Sequence, residues 1–204
     1  IITTDIKSAK SARFSTRTMT MTAILSVIAF VLAFLEIPVP VIAPSFVKLD
    51  LSDFPALIGA FAFGPMVGVV IELIKNGLQL FSSSTGGVGE LANFFIGSSF
   101  VFTAGLIYKL NKTKKTAWLS CIAGSLVMAL AGVFMNYFVL VPLFEKFMPI
   151  DAILASFKYM PFIKTKFDMC LYSIAPFNFL KGMLIGVFTM LIYKKLTPIL
   201  KGRN

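Results

Sequence analysis

The sequence predicts an all-α fold, an integral membrane bundle of six transmembrane helices. Its 204 residues are 57% hydrophobic and 14% charged, and the mean hydropathy is +0.88, well above that of an ordinary soluble domain. Long apolar runs recur from Thr20 to Leu200, as expected of segments that cross hydrocarbon. We therefore expect one domain over residues 20–204, in contact with lipid in the cell membrane, preceded by a basic arm over residues 1–19.

The first predicted helix covers residues 20–36. The proline-rich stretch at residues 37–44 ends it, because each proline removes a backbone donor and disfavours helix at the residue before it. A stiff extended loop follows. It leads to a second helix, for which Ser52 or Asp53 supplies the cap and Pro55 stands in the first turn.

The second and third predicted helices cover residues 54–63 and 66–81. Gly64-Pro65 separates them, and the second is too short to cross a bilayer upright. We expect a broken or tilted pair whose irregular backbone is buried in protein or lines a cavity, because lipid offers no hydrogen-bond partners. The Ser/Gly-rich residues 82–89 are interpreted as a flexible turn, since they lack the Lys-Ser/Thr pattern of a phosphate-binding loop.

Three more helices are predicted, over residues 90–110, 117–143 and 176–196. Residues 144–172 lie between the last two and mix Phe, Met and Tyr with lysines. This composition is typical of an amphipathic segment at the membrane interface, or of a structured cap over the bundle.

The basic residues predict the orientation of the chain. The N-terminal arm, the loop after the fourth helix and the C-terminus each hold four of the nineteen Lys and Arg residues. With six helices these regions share one side, which the positive-inside rule assigns to the cytoplasm together with both termini. Because the cations form no continuous stripe interleaved with aromatic residues, the net charge of +10 does not indicate nucleic-acid binding.

The residue types that the sequence lacks limit its chemistry. It has no histidine, which removes the common catalytic triads and most zinc and haem sites. Cys121 and Cys170 lie in or beside apolar segments and are interpreted as structural residues. We predict no catalytic residue, metal site or resident cofactor, and an intramembrane enzyme is the least favoured alternative.

Polar residues inside apolar helices are the candidate functional residues, because burying them is costly unless they are paired. Glu72, Lys75 and Asn76 share one face of the third helix. Glu72 and Lys75 form a structural ion pair in one interpretation, and the trio contacts a ligand or partner in the other.

The sixth helix carries the sharper candidates, Asn178 and Lys181, with Gly182 beside them leaving room for close approach. An amide and an ammonium group together can bind the edge of a flat heterocycle or a polyol chain. In the alternative, Lys181 reaches to the membrane interface and Asn178 caps the helix.

Three further polar residues are predicted at the same membrane level. Asn136 stands among aromatic residues of the fifth helix, where core packing is the alternative, and Glu90 and Asn93 begin the fourth helix. Converging with Asn178 and Lys181, they would form a pocket of apolar walls with few polar anchors. Glu90 alternatively complements the N-terminus of its helix.

The first helix carries small residues four apart, Ala29 and Ala33. This spacing permits the close approach of another helix. The approaching helix belongs either to the same bundle or to a separate subunit.

Five motifs give the chain a family resemblance. In order, they are Ser26-Val-Ile-Ala-Phe-Val-Leu; Lys48-Leu-Asp-Leu-Ser-Asp-Phe-Pro-Ala; the Phe-Gly-Pro break with Glu72-Leu-Ile-Lys-Asn; Gly89-Glu-Leu-Ala-Asn-Phe; and Pro176-Phe-Asn-Phe-Leu-Lys-Gly. In order and spacing they resemble the substrate-binding S components of energy-coupling-factor (ECF) vitamin transporters, specifically the riboflavin-binding group. The likeness covers nearly the whole chain from Thr20.

The resemblance implies an outward-facing pocket for riboflavin, carried as a transported ligand and roofed by the loop between the first two helices. Riboflavin has a flat ring that needs apolar and aromatic walls, and an imide edge and hydroxyls that need donors and acceptors. An S component for another vitamin, such as thiamine or biotin, is the alternative. The implied contacts, with polar anchors first and loop residues after them, are Asn136, Asn178, Lys181, Lys48, Leu49 and Asp50.

The resemblance also implies protein partners. A transmembrane coupling subunit is expected to dock on the face that carries Ala29 and Ala33, and two ATP-binding subunits are expected beside it. Nothing in this sequence matches a Walker A loop, so ATP hydrolysis is expected in the partners.

Overall fold

The computed structural model describes residues 15–39, 48–83, 85–147, 149–155, 160 and 162–201, without the side chains of residue 153 and residues 194–201. Nearly all of this part of the chain is helical. In chain order its α-helices are α1 Thr16–Ala33, α2 Asp53–Phe63, α3 Pro65–Gln79, α4 Val88–Leu110, α5 Lys114–Met135, α6 Val141–Phe144, α7 Ile150–Ala155, α8 Lys166–Met169 and α9 Ala175–Lys201.

A short hairpin follows α1. Its strands are β1 Ile37–Pro38 and β2 Lys48–Leu49, which pair antiparallel with Ile37 opposite Leu49. The pairing brings together the two ends of the predicted loop between the first two helices. The middle of that loop, residues 40–47, lies outside the described residues.

The predicted break between the second and third helices is confirmed. Gly64 has a φ of +113°, a conformation that favours glycine, and Pro65 occupies the first turn of α3. The two helices then pack closely, because a Cβ added at Gly68 would lie 2.8 Å from the Cβ of Ala60. Since α2 is buried along most of its length, it forms the centre of the bundle.

Two long helical runs each contain one widened turn. Residues Asn136–Leu140 join α5 to α6, and residues Cys170–Ile174 join α8 to α9, both as π-helix. In each, a backbone N–H donates to the carbonyl five residues earlier, from Val141 to Asn136 and from Ala175 to Cys170. The two widened turns also contact each other. Such turns are frequent at functional sites.

The segment that the sequence assigns to an interface or a cap contains two short helices, α7 and α8. Thr165 caps α8, because its hydroxyl accepts from the N–H of Asp168 at 3.1 Å and the carboxylate of Asp168 accepts from the N–H of Thr165 at 2.9 Å. A second small apolar core joins this segment to the widened turns, formed by Val141, Ile163, Met169, Cys170 and Ile174. The described part of the segment is therefore structured.

The all-α membrane bundle is confirmed, whereas the number of spans is settled only in part. Six helical segments lie where the sequence predicts them. Four runs in the described part are long and apolar enough to cross a membrane, Thr16–Ala33, Val88–Leu110, Lys114–Phe144 and Lys166–Tyr193. The helix α2 is apolar but has only 11 residues, so length and composition alone do not confirm six spans.

The face of α1 that carries Ala29 and Ala33 is occupied within the chain. These two residues are 0% and 3% exposed, because α1 packs against α2 and α3. The small residues therefore admit neighbouring helices of the same bundle. The docking of a separate subunit on this face stays a prediction.

One end of the bundle is closed by three rings, and we call it the aromatic end. The rings of Phe61 and Tyr108 stack with centroids 4.3 Å apart, and Tyr193 meets both edge-on at 5.8 and 6.0 Å. The hydroxyl of Tyr193 also donates to the carbonyl of Phe61 at 3.2 Å. The end of α9 lies here. The helix α1 starts at this end and leads to the hairpin at the opposite end, since its 18 residues span about 27 Å.

Candidate ligand-binding site

A cavity of about 330 Å³ opens at the other end of the bundle, beside the hairpin. We call this the cavity end. The volume lies in the range of small-molecule sites, about 300–1,000 Å³. Its walls come from the hairpin, from α3, α4 and α9, and from the widened turn after α5 with α6.

The structure brings together seven of the eight predicted ligand-binding residues. Leu49 is the exception: it does not line the cavity, although it is half-buried in β2 between two residues that do. The seven residues that line it are Lys48, Asp50, Glu90, Asn93, Asn136, Asn178 and Lys181.

Eight further lining residues were not predicted. One had a usable signal, since Gln79 stands seven residues after Glu72 and so lies on the same face of α3. The apolar members gave none, because their residue types are common throughout this chain. The eight residues are Glu36, Gln79, Thr85, Gly89, Ile96, Leu140, Phe144 and Phe177.

Lys181 is held inside the protein by two carboxylates. Its ammonium Nζ lies 2.9 Å from Oδ2 of Asp50 and 3.1 Å from Oδ2 of Asp53. Its side chain is 4% exposed, so the alternative in which Lys181 reaches to the membrane interface is wrong. The buried ammonium forms part of the cavity wall.

Asp53 does not have the capping role predicted for it. It lies in the first turn of α2, and its carboxylate Oδ1 is 2.6 Å from Nζ of Lys75. Ser52 is the N-cap residue, but its side chain makes no capping hydrogen bond and accepts from Lys75 at 3.0 Å instead. Both side chains therefore satisfy a buried lysine, because an unpaired charge at this depth is costly.

The predicted ion pair on α3 is confirmed. Nζ of Lys75 lies 2.6 Å from Oε2 of Glu72, and both side chains are fully buried. Glu72 also accepts from the amide of Asn76 at 3.3 Å, and Oδ1 of Asn76 accepts from the amide of Asn93 at 3.1 Å. The trio thus contacts the cavity indirectly, through Asn93 on α4.

Two carboxamides are oriented by the helix backbone. The amide of Asn136 donates to the carbonyl of Gly132 at 2.8 Å, and that of Asn178 donates to the carbonyl of Ile174 at 2.9 Å. Asn178 therefore lies within a continuous helical run and does not cap it. The hydrogen bond of Asn136 uses its amide nitrogen, so Oδ1 of the same side chain is buried without a hydrogen-bond partner in the described structure. A buried unpaired acceptor beside a cavity is a place for a ligand donor.

Gly132 makes room for one of these amides. A Cβ at this position would lie 2.5 Å from Nδ2 of Asn178, closer than the Cβ atoms of real side chains come to their neighbours. A side chain here would therefore displace the amide of Asn178. On α3, the buried Oε1 of Gln79 is likewise unpaired within the described residues, and it adds a second acceptor beside the cavity.

A turn precedes α4 as predicted, although α4 already begins at Val88, and the turn carries several hydrogen bonds where a flexible one was expected. The hydroxyls of Ser83 and Thr85 donate to Oε2 of Glu90 at 2.7 and 3.1 Å. The backbone N–H of Gly87 donates to the Ser83 hydroxyl at 2.8 Å. Glu90 lines the cavity and also stands in the first turn of α4, where a carboxylate complements the helix dipole.

The mouth of the cavity carries an ion pair between Glu36 and Lys48. Both side chains are more than a third exposed, and both line the cavity. The pair therefore ties the end of the first helical segment to β2 at the solvent side of the site.

The whole arrangement suits a flat molecule with polar edges. Ile96, Leu140, Phe144 and Phe177 supply apolar and aromatic wall, while amides, unpaired acceptors and the ammonium of Lys181 supply the polar contacts. In the described part of the chain, no group of three or more His, Cys, Asp or Glu side chains is arranged to hold a metal ion.

The sequence from residue 17 to residue 193 matches the family model described as the substrate-specific component of ECF transporters. The chain belongs to this family. The S components of this family are parts of transporters, so the prediction of a transport role rather than an enzymatic one is confirmed.

Individual relatives agree with the S component family. The chain is 36% identical over 179 residues to the riboflavin transporter RibU of Staphylococcus aureus (strain TCH60), covering 88% of this chain and 89% of the relative. It is 37% identical over 184 residues to the riboflavin transporter FmnP of Bacillus subtilis (strain 168), covering 88% and 92%. A solved structure described as the S component of a bacterial ECF transporter matches with a TM-score of 0.72, at 34% identity, over 91% of this chain and 98% of that chain.

Proposed function

We propose that this chain is the riboflavin-binding S component of an ECF vitamin transporter. It captures riboflavin from outside the cell and delivers it inward. The observation that carries the proposal is the cavity, where an ammonium, several carboxamides and aromatic wall meet. The printed names of the relatives supply the particular vitamin.

The chemistry of the cavity suits riboflavin in two respects. The apolar and aromatic wall suits the face of the isoalloxazine ring. The unpaired oxygens of Asn136 and Gln79 suit N–H and O–H donors, such as the imide and the ribityl hydroxyls, while Lys181 and the amide of Asn178 suit acceptors. Lys48, Asp50, Glu90 and Asn93 complete the polar set, and Leu49 remains a proposed loop contact.

The proposal includes the arrangement in the cell membrane. The helical segments cross six times, with the cavity end outside and both termini in the cytoplasm, as the basic regions favour. A transmembrane coupling subunit and two ATP-binding subunits supply the energy. Since Ala29 and Ala33 are buried in the bundle, they reach the coupling subunit only if α1 separates from its neighbours.

Binding is tested by titrating riboflavin with purified protein in detergent and following flavin fluorescence. We expect saturable quenching at or below micromolar riboflavin, because the ring leaves water for an aromatic-walled cavity. Flavin emission is the better signal, since Trp118 lies near the start of α5, far from the cavity. An unchanged flavin signal at micromolar concentrations would reject the proposed ligand.

The choice of vitamin is tested by competition. Thiamine, biotin and folate are added to protein that is saturated with riboflavin, and none of them should displace it. If one of them displaced riboflavin at a concentration below that of the bound riboflavin, the result would instead favour the alternative, an S component for that vitamin. Thr189→Val is a suitable control protein, because Thr189 is buried in α9, and its hydroxyl donates within that helix to the carbonyl of Ile185 at 2.8 Å.

A further inference from the structure

A continuous chain of polar contacts connects two walls of the cavity through the protein interior. It begins at Lys181 on α9, passes through side chains on α2 and α3, and ends at Asn93 on α4. We call it the polar network. Its members, in order of contact, are Lys181, Asp53, Lys75, Glu72, Asn76 and Asn93.

Only the two ends of the polar network line the cavity. Asp53, Lys75 and Glu72 are 0% exposed, and none of the three belongs to the cavity wall. They cannot contact a ligand in this arrangement. Their charges are nevertheless costly to bury, so a role beyond local packing needs to be considered.

We propose that Asp53, Lys75 and Glu72 are positioning residues, which hold Lys181 and Asn93 in the orientation that binds the ligand. The inference rests on the proposed function, because it names how the same cavity is prepared for riboflavin. A free lysine side chain loses much of its rotamer freedom when it binds a ligand. Fixing it beforehand spares the ligand that cost.

The two buried carboxylates belong to one set of contacts that reaches both walls of the cavity. Asp53 faces two lysines, with Oδ1 2.6 Å from Lys75 and Oδ2 3.1 Å from Lys181. Glu72 in turn faces Lys75 on one side and the amide of Asn76 on the other. A displacement of Asp53 therefore disturbs Lys181 directly, and a displacement of Glu72 disturbs Asn93 through Asn76.

Gly97 on α4 encloses the polar network from the opposite side. A Cβ at this position would lie 2.7 Å from Oε2 of Glu72 and 3.2 Å from Oδ1 of Asp53. The space beside Gly97 is therefore occupied by both carboxylates. Adding one carbon at Gly97 displaces them without removing any charge.

The first test is a double-mutant cycle in riboflavin affinity. Glu72→Gln keeps the shape of the side chain and removes its charge, and Asn93→Ala removes the contact at the cavity wall. Asn76 is hydrogen-bonded to both residues and so connects them. We expect Glu72→Gln to weaken riboflavin binding about tenfold, and the double variant to be at least about threefold tighter than the product of the single effects predicts.

The second test keeps all charges in place. Gly97→Ala should weaken riboflavin binding about tenfold, whereas Gly77→Ala, where a new Cβ meets nothing within 4 Å, should leave it unchanged. This pair decides the question even if Glu72→Gln does not fold. Thermal unfolding without ligand is measured on each sample. A purely structural role would lower the unfolding temperature, but the effects of Glu72→Gln and Asn93→Ala on riboflavin affinity would then be independent.

The outcomes are distinguishable. Wild-type protein that binds no riboflavin overturns the proposed function and this inference with it. Wild-type binding with independent effects of Glu72→Gln and Asn93→Ala, or with full affinity in Gly97→Ala, overturns the inference alone. Coupled effects together with weakened binding in Gly97→Ala support it.

Discussion

The two ends of the bundle are closed by different means. At the cavity end, buried lysines and carboxylates pair across α2, α3 and α9. At the aromatic end, the rings of Phe61, Tyr108 and Tyr193 pack against one another with one hydroxyl bond. Ring packing stabilises the fold without one specific partner for each ring, whereas each buried charge needs an opposite charge close by. The comparison indicates that the cavity end is built for a fixed arrangement and the aromatic end for stability.

The largest expected effect is that of Lys181→Met at the cavity end. It leaves Asp50 and Asp53 buried beside each other with one cation fewer. We expect riboflavin affinity to fall at least about a hundredfold and the unfolding free energy by about 3–5 kcal/mol. Fluorescence titration and thermal or denaturant unfolding measure the two. Lys166→Met is the control, since its ion pair with Glu145 is long, 3.8 Å, and partly exposed; wild-type affinity in Lys181→Met would contradict the comparison.

At the aromatic end, Phe61→Leu should lower stability and leave binding intact. It removes two ring pairs, each worth about 0.5–1.5 kcal/mol. Unfolding should therefore show a loss of about 1–3 kcal/mol, while riboflavin affinity stays within about twofold of wild type. Phe134→Leu, on an outward-facing ring, serves as the control. A large loss of affinity in Phe61→Leu would mean that the two ends are coupled.

Gly132→Ala sharpens the comparison with a single carbon. The new Cβ displaces the amide of Asn178, and losing one ligand hydrogen bond costs about 1 kcal/mol or slightly more. We expect riboflavin binding to weaken about tenfold in fluorescence titrations. The same substitution at Gly77, which has open space, should leave affinity unchanged. Equal affinities in the two variants would argue against a ligand contact by Asn178.

The smallest expected effect is that of Tyr193→Phe. It removes the hydroxyl that donates to the carbonyl of Phe61 at 3.2 Å and keeps the ring. Stability should fall by about 1 kcal/mol, read from unfolding midpoints, and riboflavin affinity should not change. A stability loss as large as that of Phe61→Leu would assign the closure of this end to the hydroxyl rather than to the rings.

The sequence predicts the fold and the cavity-lining polar residues well for a common physical reason. Apolar runs and proline or glycine breaks act locally, so they locate the helices. Polar side chains inside such runs are rare, so Asn136, Asn178 and Lys181 stand out. Their convergence in one cavity follows because all lie at the same level of the bundle.

The partners of those residues could not be predicted from local patterns. Asp53 follows Ser52 at a helix start, where capping is the ordinary role of a carboxylate. Its partners, Lys75 and Lys181, are distant in the chain. Lys181 is likewise 131 residues from its other partner, Asp50. Ala29 and Ala33 leave a similar choice open, because small residues indicate close approach without identifying the helix that approaches.

The widened turn at Asn136–Leu140 sets the phase of the cavity wall. It contains one residue more than a regular helical turn, and each residue advances a helix by about 100°. Deleting a single residue there would rotate α6 so that Phe144 leaves the cavity, although no wall residue has been replaced. Chain length at this point is therefore as much a part of the binding site as any side chain.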